Sequence, residues 1–339
     1  SELGNLANLE QLVLGFNSLS GPIPPEIGNL TALSRLELNS NSLSGPIPSE
    51  LDGLANLTRL DLGFNELSGA IPAELGSLVD LRILRLVAND LSGPIPSELG
   101  NLTSLGLLGL GDNSLSGPIP PELGNLTKLR SLWLGDNYAN HGDNFLAGPI
   151  PSEIGNLTNL RVLHLAGNDL SGTIPSELGN LINLEFLRLN SNDLSGSIPA
   201  ELGSLTSLEW LWLGNNDLTG PIPPELGNLN SLQSLWLEHN SISGMIPSEL
   251  GSLISLESLS LGANELSGPI PPEIGNLNNL AQLSVAANVD LHGVLPQTLT
   301  HLRLSHLLTG GTGLCAPTDD AFQSWLHSIP NRQVVNCDN

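Results

Sequence analysis

Groups able to carry out covalent chemistry are thin on this chain. Its seven histidines are scattered, its only cysteines are Cys315 and Cys337, and the sequence holds no Gly-x-Ser-x-Gly elbow, phosphate-binding loop or metal-spaced cluster. These gaps point away from an enzyme, and they call for no cofactor and no metal. What the chain does offer is recognition chemistry, in arginines that pair with carboxylates and aromatics that stack. Both are scarce, with 10 Lys plus Arg and, among aromatics, 5 Trp, 1 Tyr and 5 Phe in 339 residues. Several recur at one interval: Phe186 and Trp210, Arg188 and Trp212, and Trp212 and Trp236 are each 24 residues apart.

That interval belongs to the whole chain. Asn recurs at 17, 41, 65, 89, 113 and 137, then at 168, 192, 216, 240, 264 and 288, in steps of 24 except for one step of 31 between 137 and 168. Around each Asn runs the frame Leu-x-x-Leu-x-Leu-x-x-Asn-x-Leu-Ser-Gly-x-Ile-Pro-x-Glu-Leu-Gly-x-Leu. The second copy reads Leu33, Leu36, Leu38, Asn41, Leu43, Gly45, Ile47, Pro48, Glu50, Leu51. A repeat of this length is a supersecondary unit that buries its apolar side only against neighbouring copies. Leu-x-Leu reads as a short strand with leucines inward and x residues outward. Asn and Gly suit the turn that follows, and Ile-Pro leads into a helical turn with Glu at its dipole-favoured start.

Twelve such frames, with the Leu-Ser-Gly-x-Ile-Pro segment in most, resemble the plant-specific type of leucine-rich repeat. Receptor-kinase ectodomains and polygalacturonase-inhibiting proteins are built from the same repeat. The resemblance implies an α/β solenoid: a right-handed superhelix with a concave parallel β-sheet and short helical turns on the convex side. We assign residues 1–313 to the solenoid, with a seven-residue insertion near 138–144, and residues 314–339 to a C-terminal cap. In the cap, Thr318-Asp319-Asp320 reads as a helix start, and Phe322, Trp325, Leu326 and Ile329 fall on one helical face. Cys315 and Cys337 bracket that helix. The expected reading is a cap disulfide; a free thiol pair or a metal site are the alternatives, and two thiols alone make a poor zinc site. The chain opens in mid-repeat without the paired-Cys cap of the plant type, which suggests a trimmed fragment or mature product. The ending Gly-Leu-Cys-Ala-Pro-Thr-Asp departs from the usual plant one and points to a microbial or algal secreted relative.

Consensus positions carry the fold, so function is sought in the variable ones. Arg35, Arg59, Arg82, Arg85, Arg130, Arg161 and Arg188 lie at or beside the outward strand positions, as do Phe16, Phe64, Trp133, Phe186, Trp210, Trp212 and Trp236. The lane four residues before each Asn runs Val13, Glu37, Asp61, Arg85, Gly109, Trp133, His164, Arg188, Trp212, Trp236, Ser260, Ser284. Neighbours in a lane are about 4.8 Å apart, which sets Trp212 beside Trp236. The candidate ligand-binding residues are therefore Arg59, Arg85, Arg130, Trp133, His164, Phe186, Arg188, Trp210, Trp212 and Trp236. Tyr138 and His141 of the insertion are added as loop contacts. The competing readings are a set of rings packed only to stiffen the sheet, and cross-strand ion pairs such as Asp61 with Arg85.

A net charge of −24, with a Glu in nearly every helical turn, leaves no basic footprint for nucleic acid. No apolar run is long enough to span a membrane. Five Asn-x-Thr sequons, from Asn29 to Asn156, arise from the repeat consensus itself. The leading expectation is a secreted or cell-surface, non-enzymatic module, a monomer or weak self-associator. It would bind a peptide or protein, and less readily a glycan, on its concave face. A partner with an acidic part over the early Arg-bearing strands and an apolar part over the tryptophans would fit. A structural, adhesive or self-associating repeat protein is the alternative, and an ice-binding surface of Ser and Asn ladders is a third.

Overall fold

The computed structural model describes residues 2–136 and 144–337. The chain forms two compact units, Ser1–Ser171 and Gly172–Asn339. Each is a stack of leucine-rich coils. In the first, the Leu-x-Leu strands are β1 Gln11–Val13, β2 Arg35–Glu37, β3 Arg59–Asp61, β4 Ile83–Arg85, β5 Leu107–Gly109, β6 Ser131–Trp133 and β7 Val162–His164. In the second they are β8 Phe186–Arg188, β9 Trp210–Trp212, β10 Ser234–Trp236, β11 Ser258–Ser260, β12 Gln282–Ser284, β13 His306–Leu308 and β14 Asn331–Gln333. Within each unit, successive strands pair in parallel with each residue opposite its counterpart one period away. Leu36 lies opposite Leu12 and Leu60, and Leu211 opposite Leu187 and Leu235. The central residue of each strand from β2 to β13 is a buried leucine, with Leu60, Leu84, Leu187 and Leu211 fully buried, whereas β14, Asn-Arg-Gln, is exposed throughout. The first coil has a neighbour on one side only, and its Leu6, Leu14 and Leu19 stay 51%, 39% and 38% exposed.

The asparagine ladder explains why one residue type must recur. Asn65 donates from Nδ2 to the carbonyls of Leu62, in its own coil, and Leu38, in the coil before, at 3.0 Å each. Its Oδ1 accepts from Leu43 N at 3.0 Å. One side chain thus closes its turn and bonds backbone groups of two coils, and each carbonyl is shared by successive asparagines, Leu38 O by Asn41 and Asn65. After the Asn, the chain forms a second row of short parallel strands that the frame had not suggested, such as Ser42–Gly45 beside Glu66–Gly69. Gly45, at φ +78°, then turns the backbone in a left-handed conformation that suits glycine.

The Pro-x-Glu-Leu-Gly segment makes a five-residue 3₁₀ turn. In Ser49–Gly53, Pro48 precedes the turn at φ −65° and Leu54 N closes it on Leu51 O at 3.1 Å. In most coils a glycine follows the leucine and allows close spacing, since a Cβ on Gly76 would lie 2.4 Å from Glu98 O of the next coil; Asp52 stands at the same place in Ser49–Gly53.

One assignment moves. Asn144, not Asn137, holds the ladder position. It is 1% exposed, accepts from Leu115 N at 2.9 Å, and donates to Leu110 O and Leu134 O at 3.1 and 2.9 Å. The long step therefore runs from 113 to 144, and the extra residues precede Asn144. Gly-Asp-Asn occurs twice in this stretch, so both copies fit the frame by sequence, and the backbone groups of Leu110, Leu115 and Leu134 choose the second. Tyr138 and His141 lie outside the described residues.

At the C-terminal end, α1 spans Asp320–Ser328, capped by Asp319, whose carboxylate accepts from Phe322 N at 3.0 Å. That backbone bond, followed by one from Gln297, holds the Asp319 carboxyl below its usual range. Phe322 is fully buried against the last coil, and Trp325 Nε1 donates to Leu302 O at 2.9 Å. Cys315 and Cys337 form a disulfide with their Cα atoms 4.8 Å apart.

Candidate functional site

In the first unit, the outward residues of β2–β4 form a ladder of alternating charge. Arg35 donates to Glu37 at 2.8 Å, and Arg59 reaches Glu37 of the strand before and Asp61 of its own strand, the latter at 3.4 Å. Arg85 lies 3.6 Å from the same Asp61 oxygen. The hydrogen bond from Arg35 holds the Glu37 carboxyl below its usual value, whereas burial pushes Asp61 up, against the pull of Arg85 and Arg59. Arg35, Arg59 and Arg85 are thus ion-paired within their own strand, to the strand before, or both. Arg59 and Arg85 were expected to face an acidic partner, and both are engaged in this ladder. Arg130 is exposed just ahead of β6. Trp133 lies between Gly109 and His164, and its Nε1 is buried without a hydrogen-bond partner among the described residues. Phe16 and Phe64 do not share the strand surface. Both occupy the left-handed residue just before the ladder Asn, at φ 56°.

The second unit is organised by stacking. Register sets Phe186 beside Trp210, Arg188 beside Trp212, and Trp212 beside Trp236, as the 24-residue spacing implied. Trp210 and Trp212 stack at 5.1 Å and 6°, and Trp212 and Trp236 at 4.3 Å and 5°. Phe186 meets Trp210 edge-on at 5.0 Å. The Arg188 guanidinium sits 4.3 Å from the Trp212 ring centre and 5.0 Å from that of Trp210. Burial among these rings lowers its pKa below the usual arginine value, yet arginine keeps its charge in proteins. The indole N–H groups are satisfied across strands: Trp212 donates to Ser234 Oγ and Trp236 to Ser258 Oγ, each at 3.0 Å. All four rings are half-buried, because they cover one another. The surface they present is a rigid ridge, smaller than four separate rings would give.

Beyond the ridge the sheet drops. A depression of about 290 Å³ opens over β10–β13, walled by Trp236 and Glu238 and floored by Ser258, Ser260, Gln282 and Ser284. This trough does not stand out in the sequence, because it is made by what is small. The signal was present in the lane, where Trp236 is followed by Ser260 and Ser284.

Comparison with known proteins agrees with this architecture. The family profile described as leucine-rich repeat region matches residues 121–242. The profile described as Leucine Rich Repeat matches residues 8–30, 32–54, 56–78, 80–102, 104–126 and 255–277. No curated protein sequence matches. Among solved structures, the plant peptide hormone receptor RGFR1, in complex with RGF2, is 38% identical, with a TM-score of 0.86 over 93% of this chain and 49% of that one. The ectodomain of the Arabidopsis receptor kinase HAESA, in complex with an extended IDA peptide hormone, is 34% identical, with a TM-score of 0.81 over 98% of this chain and 59% of that one. A leucine-rich repeat protein of Leptospira interrogans is 30% identical, with a TM-score of 0.69 over 98% of this chain and 92% of that one. The chain therefore spans about half the length of the plant receptor chains it resembles. Among the described residues no helix is long and apolar enough to cross a membrane. With its repeat frame, its asparagine ladder and these matches, the chain belongs to the leucine-rich repeat family, in its plant type.

Proposed function

We propose that this chain is an extracellular, non-enzymatic recognition module that binds a peptide or an extended protein segment on the sheet face of β8–β13. The observation that carries this reading is the ridge of Trp210, Trp212 and Trp236, locked by Arg188 and standing beside an open trough. Trp and Arg dominate the binding energy of protein interfaces, and a platform whose rotamers are already fixed loses little entropy when a ligand arrives. The solved complexes of similar plant receptors hold peptide hormones. The Cys315–Cys337 disulfide fits an oxidising, extracytoplasmic setting. Arg130, Trp133 and His164 are a secondary contact zone in the first unit.

The test is selection of a displayed random dodecapeptide library on the purified chain. Selected peptides should lose binding to Trp236→Ala, which shortens the ridge, and to Ser284→Trp, which fills the trough. Binders indifferent to both substitutions, or no enrichment at all, would refute the reading.

A further inference from the structure

The ring ridge has two ends, and they differ in one respect. At one end the Arg188 guanidinium lies on the Trp212 face, so the protein supplies its own cation. At the other end Trp236 has one face on Trp212, and its next neighbour in the lane is Ser260, a residue too small to cover the other face. That open side is the wall of the trough. Glu238 stands on the same wall, and its Oε2 is shut away from solvent with no hydrogen-bond partner among the described residues. A desolvated carboxylate oxygen without a donor costs free energy that an incoming N–H group recovers. The surrounding charge favours a cation. Between Gly172 and Leu302, Arg188 is the only Lys or Arg, while Glu209, Glu238 and Glu257 lie on or beside the strands that frame the trough; His306, on its far side, has its ring nitrogens against Ser305 Oγ and Asn331 Nδ2.

We propose that the trough seats a Lys or Arg side chain of the bound peptide. Its charged head lies between the free face of Trp236 and the Glu238 carboxylate, and its stem crosses Ser258 and Ser260. The incoming cation would repeat on Trp236 the contact that Arg188 makes on Trp212, with a carboxylate added. At about 290 Å³ the space lies at the small end of the roughly 300–1,000 Å³ of small-molecule pockets. It suits one side chain rather than a whole metabolite. This inference rests on the reading above, that the face binds a peptide, and it reverses the charge expected of the partner from the distribution of arginines along the sequence.

The selected dodecapeptides test it. Peptides that require the face, by their sensitivity to Ser284→Trp, are sequenced and their affinities measured by fluorescence anisotropy. A Lys or Arg at one fixed position is expected in them. Replacing that Lys by norleucine, or that Arg by citrulline, should weaken binding about tenfold or more, as should Glu238→Gln, in line with a charge-assisted hydrogen bond. The two changes together should weaken it little further. Glu257→Gln, an exposed charge outside the trough, should leave affinity nearly unchanged. Face-dependent peptides without a fixed basic residue, or with affinity indifferent to Glu238→Gln, overturn the inference and leave the peptide-binding reading standing. Absence of any face-dependent peptide overturns both.

Discussion

Replacing Trp212 by Ala should destabilise the protein more than replacing Trp236 by Ala, although both rings are half-buried and equally regular in sequence. Trp212 stacks on Trp210 and on Trp236, carries the Arg188 guanidinium at 4.3 Å, and donates to Ser234 Oγ. Trp236 stacks on Trp212 alone and donates to Ser258 Oγ. An aromatic pair contributes about 0.5–1.5 kcal/mol, a cation–π contact about 0.5–1, and a neutral hydrogen bond about 0.5–1.5. Those contacts amount to about 2–5 kcal/mol for Trp212 and about 1–3 for Trp236, before allowance for coupling between neighbours. The assay is urea unfolding followed by far-UV circular dichroism, with near-UV dichroism reporting on the coupled indoles. Trp212→Phe keeps a ring in the stack and loses the N–H donor, so it should fall between wild type and Trp212→Ala. If Trp212→Ala proves no less stable than Trp236→Ala, the ridge is not held by mutual stacking, and the claim of a preorganised platform fails with it.

The charge ladder should leave a signature in acid. Glu37, whose carboxyl is held low by Arg35, contributes stability above its unfolded value that is lost as pH falls. Asp61, whose carboxyl is raised by burial, does the opposite, and its protonation on acidification offsets part of that loss. Asp61→Asn removes the offset, so its urea midpoint should fall more steeply than that of wild type between about pH 5.5 and about pH 3.5. In the asparagine ladder, Asn113→Ala leaves Leu91 N without its side-chain acceptor, at about 1–3 kcal/mol, while Leu86 O and Leu110 O each lose one donor and keep another from Asn89 and Asn144. Asn17→Ala, in the exposed first coil, should cost under about 1 kcal/mol by the same unfolding measurement, and equal costs would contradict the ladder's role. Cys337→Ser opens a link between residues 22 apart and should weaken the cap by about 3 kcal/mol. Faster amide exchange at Phe322 and Leu326, with β9–β11 unchanged, would show it.

Much of this was legible in the sequence because a stacked repeat turns spacing into register. When every coil is 24 residues, residue n meets n + 24 across the sheet, so the Trp212–Trp236 contact follows from subtraction. The same rule set Asp61 beside Arg85. What spacing could not convey is how side chains of one lane use each other. Arg59 and Arg85 look like free cations in a list of residues, and in the fold both are ion-paired, because Glu37 and Asp61 lie within reach. Nor does spacing register absence: Ser260 and Ser284 seemed unremarkable until the height of Trp236 made them a floor. The choice of Asn144 over Asn137 likewise depended on which side chain reaches the backbone groups of Leu110 and Leu115.

The two units also show how one frame yields surfaces of different character. The consensus leucines, asparagines and glycines are nearly identical from coil to coil, so the chemistry of the face is written in columns two residues wide. A column changes character when one member changes size or sign, since its neighbours are fixed at one period in either direction. On β2 and β3 each column holds like charges, Arg35 beside Arg59 and Glu37 beside Asp61, and the two columns pair with each other. On β8–β10 they carry rings, and a single arginine completes the stack from one side. At β11 the ring column stops at a serine, and the stack is left one member short beside a carboxylate oxygen that lacks a donor. A column interrupted in that way specifies its missing member, and here the face of Trp236 and the oxygen of Glu238 together specify a cation.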